Sequence, residues 1–247
     1  MNRRHDAHRS NFPVGLLGFS GALLAAGLLA GPAAAEQLLA ESLEDSVRRV
    51  EFGAQGTLLV EQGSPARFTI ASDDEDVLEK LEIDVSSSRL VIREEDDGWF
   101  DFWGSDVEIQ VHVVLPRPES IGFGGAGELD VRGVEVDDLE VEIAGAAQCR
   151  LTGLDVETLD VALAGAGDCD VDGRAERLDV AIAGAGDFEA LELAVARAEV
   201  AISGAGDASL RVSETLDVRI AGVGSVEYEG DPEVTKDIAG LGSVERR

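Results

Sequence analysis

Asp168, Asp187 and Asp207 each close a Gly-Ala-Gly-Asp tetrapeptide. Carboxylates recurring at a near-constant interval suit Ca2+, a hard cation that takes oxygen ligands. They equally suit a turn in which each carboxylate accepts backbone N–H groups. Cys149 and Cys169 are the 2 cysteines of the chain. They are too few for a four-cysteine zinc site. In an oxidising compartment they would form a disulfide, strained by parallel Cβ vectors, or stay a pair of buried thiols. Trp99, Phe100, Phe102 and Trp103 crowd into the stretch Asp97–Asp106. A loop with that many rings stacks on a sugar or anchors a protein partner. The other use for it is a hairpin tip folded down on the core.

Catalytic groups are few. His112 is the one histidine after residue 35, and it lies among valines as a satisfied strand residue would. No Ser/His/Asp order, zinc spacing or phosphate loop is present. The Gly-Ala-Gly triplets follow strands but open no helix, so a dinucleotide site is excluded. What remains for catalysis is a pair of carboxylates, of the kind that cleaves glycosidic bonds, drawn from 50 Asp+Glu.

Those acids face only 20 Lys+Arg, a formal net charge of -30. A chain so acidic has no basic face for nucleic acid and none for anionic lipid headgroups. The first 35 residues read as a signal peptide. Arg3, Arg4 and Arg9 precede an apolar run from Val14 to Leu29, and Ala33, Ala34 and Ala35 form a small-residue cleavage site. The expectation is export, with Glu36 first in the mature chain and a periplasmic or extracellular location. After cleavage no apolar run is long enough, at ~20 residues, to span a bilayer.

The elements that carry these residues follow two grammars. Residues 36–120 form an irregular β lead-in or cap. Strand-like alternation marks 49–52, 57–61, 67–71, 81–85, 89–93 and 107–115. Glu36 to Arg49 reads as a short helical lead-in or a loose terminus, and Asp73 to Lys80 as one or two helical turns. Residues 121–247 repeat. Gly125, Gly145, Gly165, Gly184, Gly204, Gly222 and Gly240 recur at spacings of 20, 20, 19, 20, 18 and 18. That register predicts an all-β, right-handed parallel β-helix-like solenoid with rungs of about 18–20 residues and two short strands per rung. Leu159, Leu178 and Leu216 fall in one inward column, and Val161, Val180 and Val218 in the next. Cys149 and Cys169 share an inward column with Leu129 and Phe188. Outward of the first strand lie Ala162, Ala164, Ala181, Ala183, Ala201 and Ser203. So small and uncharged a stripe is unusual for an exposed strand. It is expected to be buried against a partner, a second subunit or the first half of the chain.

The Gly-Ala-Gly-Asp turns at 165–168, 184–187 and 204–207 each follow an L-x-V-x-I-type strand. With the variant turns at 145–148, 222–225 and 240–243, they resemble the bacterial "putative auto-transporter adhesin, head GIN domain" family. The lead-in, from Val50 through Pro116, is similar to that family's first segment. The resemblance covers about residues 45 to 245. It implies a β-helix-like solenoid and an adhesin-like role, and it supplies no catalytic residues. The reading that follows is an exported, non-enzymatic β-solenoid, an adhesin-like binding or structural module of the cell envelope. It needs no cofactor beyond the Ca2+ considered above, and its partner is a protein, a surface polysaccharide or a second copy of the chain. A polysaccharide-active β-helix enzyme is the alternative from a different class. A periplasmic partner in an envelope-stress or signalling assembly is a third.

Overall fold

Alternation along 159–163, 178–182, 198–202 and 216–220 sends every second side chain inward. In this computed structural model the four segments stack in parallel and in register. Leu159 pairs with Leu178, Leu178 with Ala198, and Ala198 with Leu216. None of the four is more than 5% exposed. The structure describes residues 37–72, 78, 80–94 and 109–247. The stretch Asp73 to Lys80, expected to be helical, falls mostly outside these residues.

Described in chain order, the strands are β1 (Gln37–Ser42), β2 (Arg49–Gly53), β3 (Gln55–Gln62), β4 (Arg67–Ser72), β5 (Leu81–Val85), β6 (Arg89–Glu94), β7 (Ile109–Leu115), β8 (Ser120–Phe123) and β9 (Ala126–Arg132). There follow β10 (Glu135–Ala166), β11 (Cys169–Ile182), β12 (Phe188–Ile202), β13 (Ala208–Ile220), β14 (Val223–Glu229), β15 (Glu233–Ile238) and β16 (Leu241–Arg246). All belong to one sheet that wraps around the core. A straight strand of 32 residues such as β10 would run for about 100 Å. It instead turns corners and supplies successive sides of the coil.

The coil has three sides. Side one stacks β2, β8, 139–143, 159–163, 178–182, 198–202, 216–220 and β15. Side two stacks β3, β9, 147–151, 169–171, 188–190, 208–210, β14 and β16. The third side is short, and reading two strands per repeat missed it. Leu154 pairs with Gly173, Val156 with Ala175, Ala175 with Val195, and Val195 with Val212. Its apolar positions are easy to overlook because their spacing wanders. Register shifts fall between Leu151 and Leu154, between Asp170 and Asp172, and between Ala190 and Ala194. A further shift falls between Val195 and Arg197, so the corners on both sides of side three absorb the difference between rungs of 18, 19 and 20 residues. Side one keeps its ladder unbroken.

The lead-in belongs to the same stack, but out of chain order. β2 lies between β6 and β8, and β3 between β7 and β9, all in parallel. β6 and β7 therefore sit outside β2 and β3, which precede them in sequence. Phe52 and Phe123 from neighbouring rungs meet at a ring-centroid distance of 5.3 Å. Beyond β6 and β7 the strands turn antiparallel: β4 on β7, β1 on β4, and β5 on β6. β1 replaces the helical or loose lead-in expected from sequence. The free edge of β4 offers hydrogen bonds that outweigh the local helix preference of Leu, Ala and Glu. At the other end Lys236 occupies the inward column, directly above Val218, and is exposed. An inward-pointing charge on an edge strand prevents a further rung from stacking.

Close backbone contact fixes the corner glycines. A Cβ on Gly184 would lie 2.0 Å from the Gly165 carbonyl oxygen, and one on Gly165 would lie 2.0 Å from that of Gly145. Replacing Gly184 by Ala is therefore expected to cost about 3 kcal/mol or more, because backbone atoms on both sides must move. Ala185→Ser, at the exposed next position, is expected to stay within about 0.5 kcal/mol. Urea unfolding of the two variants checks the contrast. An equal midpoint for both would contradict the steric account.

Candidate functional site

The corner aspartates are structural acceptors. Asp168 Oδ1 accepts the Asp187 N–H at 3.3 Å, Asp187 Oδ1 that of Asp207 at 3.1 Å, and Asp207 Oδ1 that of Ser225 at 2.7 Å. Each carboxylate reaches one rung forward rather than bonding within its own turn. The three are spread along the stack, whereas Ca2+ needs six to eight oxygens converging at about 2.3–2.6 Å. Among the described residues no cluster of three or more His, Cys, Asp or Glu converges on a point that would hold a metal ion. Cys149 and Cys169 are register partners, both buried and both free thiols. Burial foremost, then the hydrogen bond with Cys149, pushes the Cys169 thiol well above its ordinary value. Such a thiol is a packing group rather than a nucleophile. His112 Nε2 lies 2.8 Å from Glu61 Oε2, a strand histidine with a partner. Trp99, Phe100, Phe102 and Trp103 lie outside the described residues.

On side one the small stripe stays open. Ala162 and Ala201 are half-buried, while Ala164, Ala181, Ala183 and Ser203 are exposed. Among the described residues no strand covers it, because the described strands of the first half join the end of the stack instead of folding over its side. The neighbouring outward column is Glu140, Asp160, Asp179, Glu199 and Asp217. Two of its members are compensated: Ser120 Oγ donates to Glu140 at 3.1 Å, and Arg219 pairs with Glu199. Asp160, in the middle, is raised above the ordinary 3.8 by desolvation, then by the charge of Asp179 and a hydrogen bond with it. The trough on this side encloses about 410 Å3.

A further concavity runs along side three. It is a groove of about 1220 Å3 that crosses successive rungs parallel to the stacking axis. Val136, Val156, Ala175, Val195 and Val212 form its floor, none more than 8% exposed. The outward residues of one rim are Glu135, Asp155, Arg174, Ala194 and Arg211. Ion pairs occupy part of its charge: Arg117 with Asp137 at 3.3 Å, Arg211 with Glu229 at 3.2 Å, and Arg197 with Glu176. Glu135, Asp155, Glu157 and Arg174 have no ion-pair partner among the described residues. None of these groove residues stood out in the sequence. Their one signal is a departure from the repeat, since this column changes from acid to Arg to Ala where the inward columns hold Leu and Val. Gln62 from the lead-in closes one end, donating to the Glu135 carbonyl at 3.2 Å and accepting the Glu135 N–H at 2.5 Å.

These features define a three-sided all-β solenoid with a lateral groove. The chain belongs to the family described as "Putative auto-transporter adhesin, head GIN domain", which matches residues 48–232. No curated protein matches the sequence. Among solved structures it is similar to a putative adhesin from Bacteroides fragilis, at 20% identity and a TM-score of 0.79 over 87% of this chain and 99% of that one. A putative adhesin from Parabacteroides merdae shares 18% identity at a TM-score of 0.61, covering 86% and 96% of the two chains. A putative lipid binding protein from Parabacteroides distasonis gives 19% and 0.64 over 86% and 96%. At these identities the likeness shows the fold alone.

The acidic column on side one has a measurable consequence. A carboxyl whose folded value is raised binds its proton more tightly in the folded state, so stability falls as pH climbs above 3.8 and the penalty is complete at neutral pH. Asp160→Asn is expected to stabilise the protein at pH 7 by roughly 0.2–1 kcal/mol, the scale of a cross-strand charge pair. Near pH 3 the gain disappears. Denaturant titrations at the two pH values check the sign, and a loss of stability at pH 7 would refute it.

Proposed function

We propose that the protein is an exported, non-enzymatic binding module of the cell envelope, adhesin-like in role, and that its groove on side three is the contact surface. The observation that carries this reading is the groove itself. It is about 1220 Å3 in volume, it runs along the stack, and it is rimmed by side chains that depart from the repeat. A regular solenoid has no packing reason for such departures, because identical rungs bury their neighbours best. The adhesin family and the two putative adhesins of the same fold support the assignment. The sequence pattern of residues 1–35 supports export to the periplasm or beyond. A polysaccharide-cleaving activity finds less support, since among the described residues the groove offers no aromatic face to hold a sugar ring.

The experiment uses immobilised cell-envelope fragments and a panel of surface polysaccharides, with and without Ca2+. The wild-type protein is expected to be retained on the envelope fragments and to release no reducing ends from the panel. Ala194→Trp, which fills the groove from its rim, is expected to reduce retention at least tenfold while leaving the unfolding midpoint unchanged. Retention unaffected by Ala194→Trp would remove the groove from the proposal, and turnover of any polysaccharide would overturn the non-enzymatic reading.

A further inference from the structure

We infer that the groove on side three takes an extended polypeptide segment of about six residues that is cationic at one end and apolar at the other. This inference rests on the groove being the contact surface and adds the chemistry of its occupant.

Length comes first. The floor rises through Val136, Val156, Ala175, Val195 and Val212, one residue per rung. Four steps of ~4.8 Å make about 19 Å. An extended chain at ~3.3 Å per residue covers that distance with about six residues. The groove crosses the strands instead of following an edge, so the occupant is read by its side chains and not by added strand pairing.

Charge sets the polarity. The half of the groove nearest the lead-in carries Glu135, Asp155 and Glu157, all without an ion-pair partner among the described residues. Arg117 is already held by Asp137 and Glu119 there. The far half presents Ala194, Ala196 and Ser213, and its charged lining is already paired, Arg211 with Glu229 and Asp231 with Arg246. Arg174 stands between the halves and excludes a second cation from the centre. The net charge of -30 supplies a long-range field that draws a basic partner and steers it. Among the described residues no aromatic side chain lines the groove, so they offer a sugar ring no face to stack on.

The probe is a fluorescent hexapeptide with two lysines at one end and three small apolar residues at the other. Controls are its scrambled form, a glutamate-for-lysine form and a neutral oligosaccharide of similar length. Binding is measured by fluorescence anisotropy on the protein from residue 36 onward. The lysine peptide is expected to bind the wild-type protein, weaken as salt rises, and beat each control at least tenfold. Glu135→Gln combined with Glu157→Gln is expected to raise Kd at least tenfold. Arg174→Glu is expected to lower it about fivefold, a gain that a misfolded variant would not show. Ala194→Trp is expected to abolish binding. Absence of wild-type binding, preference for the oligosaccharide or the glutamate peptide, or indifference to the Glu135, Glu157 and Arg174 changes would overturn the inference. Envelope retention sensitive to Ala194→Trp, without peptide binding, would reject this occupant and keep the groove as the contact surface. Loss of both would reject the two readings together.

Discussion

Backbone-to-backbone contact at the glycine corner is the constraint on which the remaining structure depends. Successive rungs come so close there that the missing Cβ of each glycine points at the carbonyl oxygen below it. Gly184 over Gly165 and Gly204 over Gly184 repeat the same approach, at 2.0 and 2.1 Å for a hypothetical Cβ. That contact keeps side one and side two at a common rise through the corner, and their inward columns stay in register because of it. The next layer of reinforcement is polar. Each corner aspartate accepts an N–H from the following rung, so a group that would be an unsatisfied donor at a turn is paired across the stack. Glycine and aspartate in one tetrapeptide thus serve close approach and donor satisfaction, respectively.

A stack held in this way has two ends, and the chain treats them differently. At the lead-in end it inserts β2 and β3 beneath β6 and β7 and then closes with antiparallel strands. Antiparallel closure uses the outermost parallel hydrogen bonds and breaks the pattern that another rung would need. At the far end the repeat simply degrades. Val234, Ile238 and Val244 are only partly buried against the core. Lys236 stands where Val218 stands one rung below, and a charge in that column has nothing to pack on. Both devices solve the edge problem inherent in any open solenoid.

Most of the stack was legible from sequence because stacking repeats the same local environment. Leu159, Leu178 and Leu216 occupy the same pocket one rung apart, so periodicity alone revealed them. The strands at 49–52, 67–71 and 89–93 were legible by alternation, but their order in the stack was not. Nothing local says that β2 pairs with both β6 and β8, since any of these strands would satisfy the same apolar face. Side three was missed for a different reason. Its apolar positions are displaced by the register shifts that absorb uneven rung lengths, so no fixed interval marks them. The Asp168, Asp187 and Asp207 column was visible, but its use was not. A one-dimensional pattern shows that carboxylates recur and is silent about whether they reach within a turn, across a rung or toward an ion.

Stacking also explains where a binding surface can arise on so acidic a chain. Equivalent outward positions lie ~4.8 Å apart, so a repeated acid is a repeated repulsion. Each part of the coil answers this in its own way. At the corner the aspartates are held by N–H donors. On side one Glu140, Asp160, Asp179, Glu199 and Asp217 remain a column of like charge, relieved at Glu140 and Glu199 and raised in proton affinity at Asp160. Side three instead breaks the repetition, interleaving arginine, alanine and acid along one rim. A column that repeats one residue presents the same surface at every rung and has no means of fixing a partner's position along the axis. A column that changes from rung to rung does. Positional information on this solenoid is therefore concentrated on side three, where the chain gives up the regularity that holds the other two sides together.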